Sequence, residues 1–331
     1  MRIILLLIAL LTCSAQLSAV ENLGLIQRAN EILDSGPAAL PEDLVKHLEN
    51  ATQEAESTAE KLKLLILQAE AFIRNGRRDD ALTTLSAATE HATSSENGAN
   101  AATHLIQISN SYQSLGAWLS ARKSAEIASR QLRNSAPAAD KIDVLITLAS
   151  LQTETEETEK ALTTYAGIFE LIGPSQFDLA TRVRIAQLKT LAGESPTDLG
   201  RINQEVTLIS QGLEEISDAG LGQTLRLETA AALLSLHAPA TQHAILEELL
   251  GQALSLARTR GDHVGASLSY GYKGKLEQQR GNLQAALKNS RRALVELNQA
   301  DRPDLAYRWQ WQIARAQRQA GDLNAAIKNY E

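Results

Sequence analysis

Apolar and small side chains recur along this chain on two scales, that of a helix turn and that of forty residues. Within segments they fall three or four positions apart, as at Leu105, Ile108 and Tyr112, or at Leu145 and Leu148. That is the spacing of a helix with one buried face. Such segments come in pairs: Val20–Asp34 with Pro41–Ala55, Thr58–Asn75 with Arg78–Ala92, Asn97–Leu115 with Trp118–Arg133, and Ala138–Thr155 with Glu157–Ile172. Leu225–Leu236 with Ala244–Arg258, Asp262–Arg280 with Leu283–Gln299, and Pro303–Ala320 with Leu323–Glu331 continue the series. The stretches between pairs, such as Asn134-Ser135-Ala136-Pro137 and Gly173-Pro174-Ser175, are rich in turn and cap residues.

The longer period shows at the turns inside the pairs. Gly321-Asp322-Leu323-Asn324-Ala325-Ala326-Ile327 repeats Gly281-Asn282-Leu283-Gln284-Ala285-Ala286-Leu287 at a distance of 40 residues. Gly76 and Gly116 open the same motif, and Glu156 stands 40 residues after Gly116 in a copy without its glycine. A fixed period of this size marks a stacked repeat array. Physically, a first helix ends at the glycine, which accepts the left-handed conformation past a helix end. The alanine five places on then sits where the second helix crosses the first. Seven residues before the glycine the first helix also keeps a small residue. Ala69, Ser109, Ala149, Gly274 and Ala314 thus face Ala81, Ala121, Ala161, Ala286 and Ala326, so ten of ten linked positions are small.

That pattern resembles the tetratricopeptide repeat. The resemblance covers about residues 20 to 331 and implies an all-α solenoid: about eight antiparallel helical hairpins in a right-handed superhelix. The segment Tyr307-Arg308-Trp309-Gln310-Trp311-Gln312 before Gly321-Asp322 is similar, more narrowly, to the repeats that precede the peptidase in bacterial CHAT-domain proteins. In the middle, Ala186 and Gly193 read as one small-residue-and-glycine pair, and residues 193–240 are expected to be irregular. Glu331 falls one turn past the crossing Ala326, where an array needs a polar capping helix, so the chain reads as part of a longer polypeptide.

Composition agrees with helices: 44% of residues are hydrophobic but only 4% aromatic, so the apolar content is chiefly Ala, Leu and Ile. Met1-Arg2 followed by the apolar run Ile3–Leu11 is too short to span a bilayer and fits a signal peptide over residues 1–19, cleaved after Ala15 or Ala19. This predicts a periplasmic or secreted protein with no transmembrane helix in the mature chain. Leu10-Leu11-Thr12-Cys13 also admits a lipoprotein reading with Cys13 as the anchor. Cys13 is the sole cysteine, so no disulfide forms and no Cys–His nucleophile remains after cleavage. His47, His91, His104, His237, His243 and His263 are scattered without ligand spacing, and Glu154, Glu156, Glu157 and Glu159 read as a solvated acidic turn. Nothing calls for a metal or cofactor, and the chain is expected to be no enzyme.

Charge changes the picture. The net value of −7 argues against nucleic acid as the partner. Residues 252–331, however, carry 13 Lys and Arg against 7 Asp and Glu, while the rest carries 19 against 32. On the tetratricopeptide likeness, ligands lie against the face built by the first helices. There the last repeat would present Arg308, Trp311, Arg315 and Arg318, and the one before it Lys275 and Gln278. Arg and Trp are frequent binding hot spots, and an Arg row suits carboxylates. The expected partner is a protein or peptide, with acidic extended segments preferred. The alternative is a solvated arginine face with Trp309 and Trp311 packed on a further helix. Earlier repeats offer Asn110, Gln113, Ser150 and Gln187 without an anchor, and Arg77 and Arg78 are taken as surface cations with no role in binding.

Overall fold

The computed structural model describes residues 22, 24–33, 39–55, 57–94, 98–132, 137–193, 199–236 and 242–330. The signal segment, Cys13, His237 and Glu331 lie outside them. Of the described residues 86% are helical and none is in a strand. Sixteen helices form eight consecutive antiparallel hairpins among these residues. They are α1 (24–33) with α2 (Glu42–Glu54), α3 (Thr58–Arg74) with α4 (Arg78–Thr93), α5 (Gly98–Ser114) with α6 (Trp118–Gln131), and α7 (Ala138–Glu154) with α8 (Thr158–Phe169). The series continues with α9 (Phe177–Gly193) and α10 (Leu199–Glu214), α11 (Ala219–Ser235) and α12 (His243–Arg260), α13 (His263–Gln279) and α14 (Leu283–Gln299), and α15 (Tyr307–Gln319) and α16 (Leu323–Tyr330). A 3-10 turn, Pro303–Leu305, precedes α15, so the last first-helix starts at Tyr307 and not at Pro303. No helix among the described residues is long and apolar enough to cross a membrane.

The chain divides into two compact units between Thr164 and Tyr165. In the first, α3 touches α5 and α5 touches α7. In the second, α9, α11, α13 and α15 touch in the same way. Within each unit neighbouring first helices therefore meet one another, which is how stacked helical repeats bury a core.

The turns carry the chain reversal by one geometry. Gly76, Gly116, Gly281 and Gly321 have φ of 71°, 67°, 81° and 83°, and Glu156 adopts the same left-handed state at 61°. At Gly76 the amide donates to the Ile73 carbonyl at 3.1 Å and the next amide, of Arg77, to the Phe72 carbonyl at 2.8 Å. This pair of bonds satisfies the open carbonyls at the end of α3. The pair recurs at Glu156, from Glu156 to Thr153 at 3.0 Å and from Glu157 to Gln152 at 2.7 Å. It also closes the junctions between hairpins at Gly261 (φ 65°) and Asp301 (φ 51°), which the forty-residue reading of the sequence did not mark. Left-handed residues thus stand every 20 positions from Gly261 to Gly321.

The ten small crossing residues are all buried. Ser109 donates its hydroxyl to the Ala121 carbonyl at 2.9 Å, and a Cβ on Gly274 would lie 3.1 Å from the Ala286 carbonyl oxygen. The middle differs from the sequence reading. Ala186 is only half-buried, and the tight approach of α9 and α10 lies where Gly212 faces the buried Thr181. Residues 194–198, where a crossing alanine would be sought, lie outside the described residues.

Two charged side chains at the turns also have partners within the fold. Arg77 is no bystander: its guanidinium lies 4.2 Å from the Phe72 ring centre and meets Glu42, Glu49 and Asp80. The acidic turn is put to structural use as well. Glu157 takes Arg122 of the preceding hairpin at 2.8 Å and Lys160 at 3.1 Å. The Lys160 hydrogen bond first, and Arg122 after it, hold the Glu157 carboxyl below its ordinary value despite some desolvation.

A left-handed L-residue costs about 1–2 kcal/mol that glycine avoids. Glu156 is exposed, so Glu156→Gly should raise the stability of the first unit by about 1 kcal/mol, read as a higher urea midpoint with unchanged slope. A lower midpoint would show that the side chain itself supports the turn.

Candidate functional site

The second unit carries a groove of about 610 Å³ between α13 and α15. The register that builds it is fixed from inside. Trp309 is 4% exposed and points back to α13, where its Nε1 donates to Ser267 Oγ at 2.9 Å and Ser267 donates to the Ala293 carbonyl at 2.8 Å. The indole lies on Gly271, where any Cβ would collide with the ring, and meets Tyr272 edge-on at 6.1 Å. Three residues on, the buried Gln312 donates to the Gly271 carbonyl at 2.8 Å and to Ser290 Oγ at 2.9 Å. The indole N–H, both serine hydroxyls and the Gln312 amide nitrogen are all hydrogen-bonded, which makes the seam specific as well as stable.

Trp309 and Gln312 turn inward yet still border the groove, and the adjoining face of α15 becomes one wall. Tyr307, Arg308, Trp311, Arg315 and Gln319 line the groove from that face, and Tyr272, Lys275, Gln278 and Gln279 line it from α13. Tyr307 and Trp311 are 59% and 54% exposed. The two indoles, grouped in the alternative sequence reading, differ in burial: Trp309 packs on the preceding hairpin, and Trp311 is exposed in the groove. Gln278 Nε2 donates to Gln319 Oε1 at 2.9 Å and joins the two walls near the end of α15.

Five of the six predicted partner-binding residues, Lys275, Gln278, Arg308, Trp311 and Arg315, come together here. Arg318 does not, although it is exposed. Ten residues after Arg308 the direction falls about 80° short of three whole turns, whereas Gln319, eleven residues on, returns to within about 20° of Arg308 and takes the wall position. Tyr307 and Gln319 could have been read as the residues one turn either side of Trp311 and Arg315. Tyr272 stands one turn before Lys275.

The groove has no carboxylate among its lining residues. Burial first, and the nearby Arg315 second, push the half-buried Lys275 ammonium below the ordinary lysine value. Arg308 lies 5.7 Å from the Trp309 ring centre. Other cations of these hairpins are matched: Arg280 meets Glu247 and Glu277, and Arg302 meets Asp304. The corresponding face of the first unit is of mixed sign, with Lys63, Glu70 and His104 along one 340 Å³ groove and Asn110 in the next. There burial, and then Lys63, lower the His104 pKa. Gln187 is buried in α9. His243 accepts from Arg280 at 3.3 Å and His263 pairs with Glu296 at 2.8 Å. No group of three or more His, Cys, Asp or Glu side chains that could hold a metal occurs among the described residues.

No family model and no curated protein matches the sequence. Solved structures do match the fold. The apo form of RapI is similar with a TM-score of 0.52 at 12% identity over 82% of this chain and 95% of its own. The apo quorum sensor NprR from B. thuringiensis gives 0.52 at 17% identity, over 93% of this chain and 85% of its own. Aspartyl phosphate phosphatase F from Bacillus subtilis gives 0.55 at 10% identity, over 88% and 74%. At these identities the likeness is one of fold, a tetratricopeptide-like helical repeat.

Gly271→Ala should force the Trp309 indole off its seat and cost about 1–3 kcal/mol by overpacking. Denaturation would show the loss, and tryptophan emission would shift to the red. An unshifted spectrum with wild-type stability would mean that the seam repacks without cost.

Proposed function

We propose that this chain is a non-catalytic interaction scaffold that docks acidic, extended protein segments in the α13–α15 groove. The observation that carries the reading is the wall itself: Lys275, Arg308 and Arg315 beside exposed Tyr307 and Trp311, with no carboxylate in the lining. Guanidinium groups take carboxylates in paired hydrogen bonds, and exposed aromatic rings give large contact area at low entropic cost. A regulatory role is in keeping with the fold shared with a protein named a quorum sensor. The phosphatase named among the similar structures shares the fold alone, at 10% identity.

The place of action in this proposal is the bacterial envelope or beyond, on the strength of the signal pattern at residues 1–19. The resemblance of Tyr307–Asp322 to CHAT-protein repeats extends the reading: the scaffold would present substrate to a peptidase domain of the same polypeptide. A structural envelope protein anchored through Cys13 is the rival, favoured by Leu10-Leu11-Thr12-Cys13.

Two outcomes are expected. In fluorescence anisotropy with the full chain, glutamate-rich peptides containing tyrosine bind and lysine-rich ones of equal length do not. Binding weakens above about 0.1 M salt, where screening reaches about 10 Å. Arg308→Glu with Arg315→Glu lowers affinity at least about tenfold, about 1.4 kcal/mol, while Arg78→Glu, on an exposed turn of α4, leaves it unchanged. Equal binding by all variants would reduce the cations to a solvated face. For location, N-terminal sequencing of periplasmic protein should start near Gln16 or Val20; a blocked, lipid-modified Cys13 would favour the anchored rival, and intact Met1 in the cytosol would refute export.

A further inference from the structure

Resting on the docking role just proposed, the groove also has an order along its length. On α15 the groove-facing side chains run Arg308, Trp311, Arg315, Gln319 from one end to the other. Trp311 and Arg315 are one turn apart, about 6 Å along the helix axis. Lys275 lines the other wall, and Gln278, one turn after it, is hydrogen-bonded to Gln319, one turn after Arg315, so the two cations share one level of the wall. One turn further, Gln278 and Gln319 are hydrogen-bonded to each other at 2.9 Å. The wall thus presents an aromatic level, a two-cation level and an amide level at steps of one helix turn.

An extended peptide advances about 3.3 Å per residue, and side chains two apart share a face about 6.6 Å from each other. That step matches one turn of α15. Side chains one or three apart point to opposite faces, and those four apart span about 13 Å, two turns of the wall. We infer that the groove reads a bipartite motif, an aromatic and an acidic residue separated by one residue in an extended segment. The ring lies on Trp311 and Tyr307, the carboxylate sits between Lys275 and Arg315, and the Gln278–Gln319 pair offers its remaining donor and acceptor to the peptide backbone. A single-stranded nucleic acid would also offer rings and negative charge. The peptide is favoured because the chain as a whole carries −7, which repels a polyanion far more than a single carboxylate.

The test titrates the full chain with isomeric 10-residue peptides of one composition. One Trp and one Glu stand two, one, three or four positions apart on an otherwise Ser/Ala/Lys background, in both orders, beside an oligo(dT) probe. The two-apart isomers should bind at least about tenfold tighter than the others, in one order or both. Arg315→Glu and Lys275→Gln should each remove that preference. Arg318→Glu, outside the groove lining on the same helix, should keep it, and circular dichroism confirms that each variant is folded. If all isomers bind alike, the groove senses charge and composition only, and the spacing inference fails while the docking role stands. If no peptide binds, both fail. Tighter binding of oligo(dT) than of any peptide overturns both in favour of a nucleic-acid groove.

Discussion

The fold depends on one backbone constraint, a single left-handed residue just past a helix end. At that residue two amides turn back onto the last open carbonyls of the helix, so the chain can reverse without leaving buried polar groups unpaired. Because the reversal is this short, the next helix starts at once and lies close along the previous one. The interhelix contact must then be made by Ala, Ser or Gly, since a larger side chain would push the axes apart. The small residues and the turn are one requirement seen twice. Where Glu156 and Asp301 replace glycine, the same φ is kept at 61° and 51°, so the geometry outlasts the residue that suits it best.

Once each hairpin repeats at a fixed interval, side chains a period apart meet. Asn22 reaches Glu60, Lys189 reaches Glu228, Gln223 reaches Asp262, and Gln278 reaches Gln319, all 38 to 41 residues apart. Trp309 and Ser267 belong to the same class, 42 apart. These bonds set how one first helix is rotated against the next. In the second unit, that rotation decides which side of α15 faces the core and which forms a wall. The groove is therefore a consequence of the buried Trp309–Ser267 and Gln312–Gly271 bonds, whose donors border it.

The hairpins, their partners and the crossing residues were legible in the sequence because they obey local steric rules that any single repeat displays. The middle was not. Gly212 against Thr181 performs the crossing that Ala186 was expected to provide, and a glycine inside a helix carries no turn signal to mark it. Five of the six expected wall residues lie in the groove because a spacing of three or four is enough to find one helix face. Arg318, three residues after Arg315, lies outside the lining, and Gln319, four residues after Arg315, takes that place. The spacing from Arg308 was enough to put Trp311 on the wall. The seat of Trp309 was not legible, because it is made by Gly271, 38 residues earlier, whose missing Cβ leaves room for the ring.

Electrostatics then distinguishes the groove from the rest of its unit. Arg280 has two carboxylates, Arg302 has one, and Arg258 donates to the hydroxyl of Tyr270. At Arg280 and Arg302 charge has been matched within the fold, while Arg258 has a neutral partner. Lys275 and Arg315 instead approach each other across a partly desolvated groove, with burial and mutual repulsion both working against the lysine charge. The seam that positions them is made of neutral groups, so their repulsion weakens no bond that the register depends on. A carboxylate arriving between them would remove the repulsion and gain two attractions in one step. A neutral ligand would gain neither. The proposed selectivity for an anion would thus follow from leaving the two cations unmatched, which the fold can sustain because its register is held elsewhere.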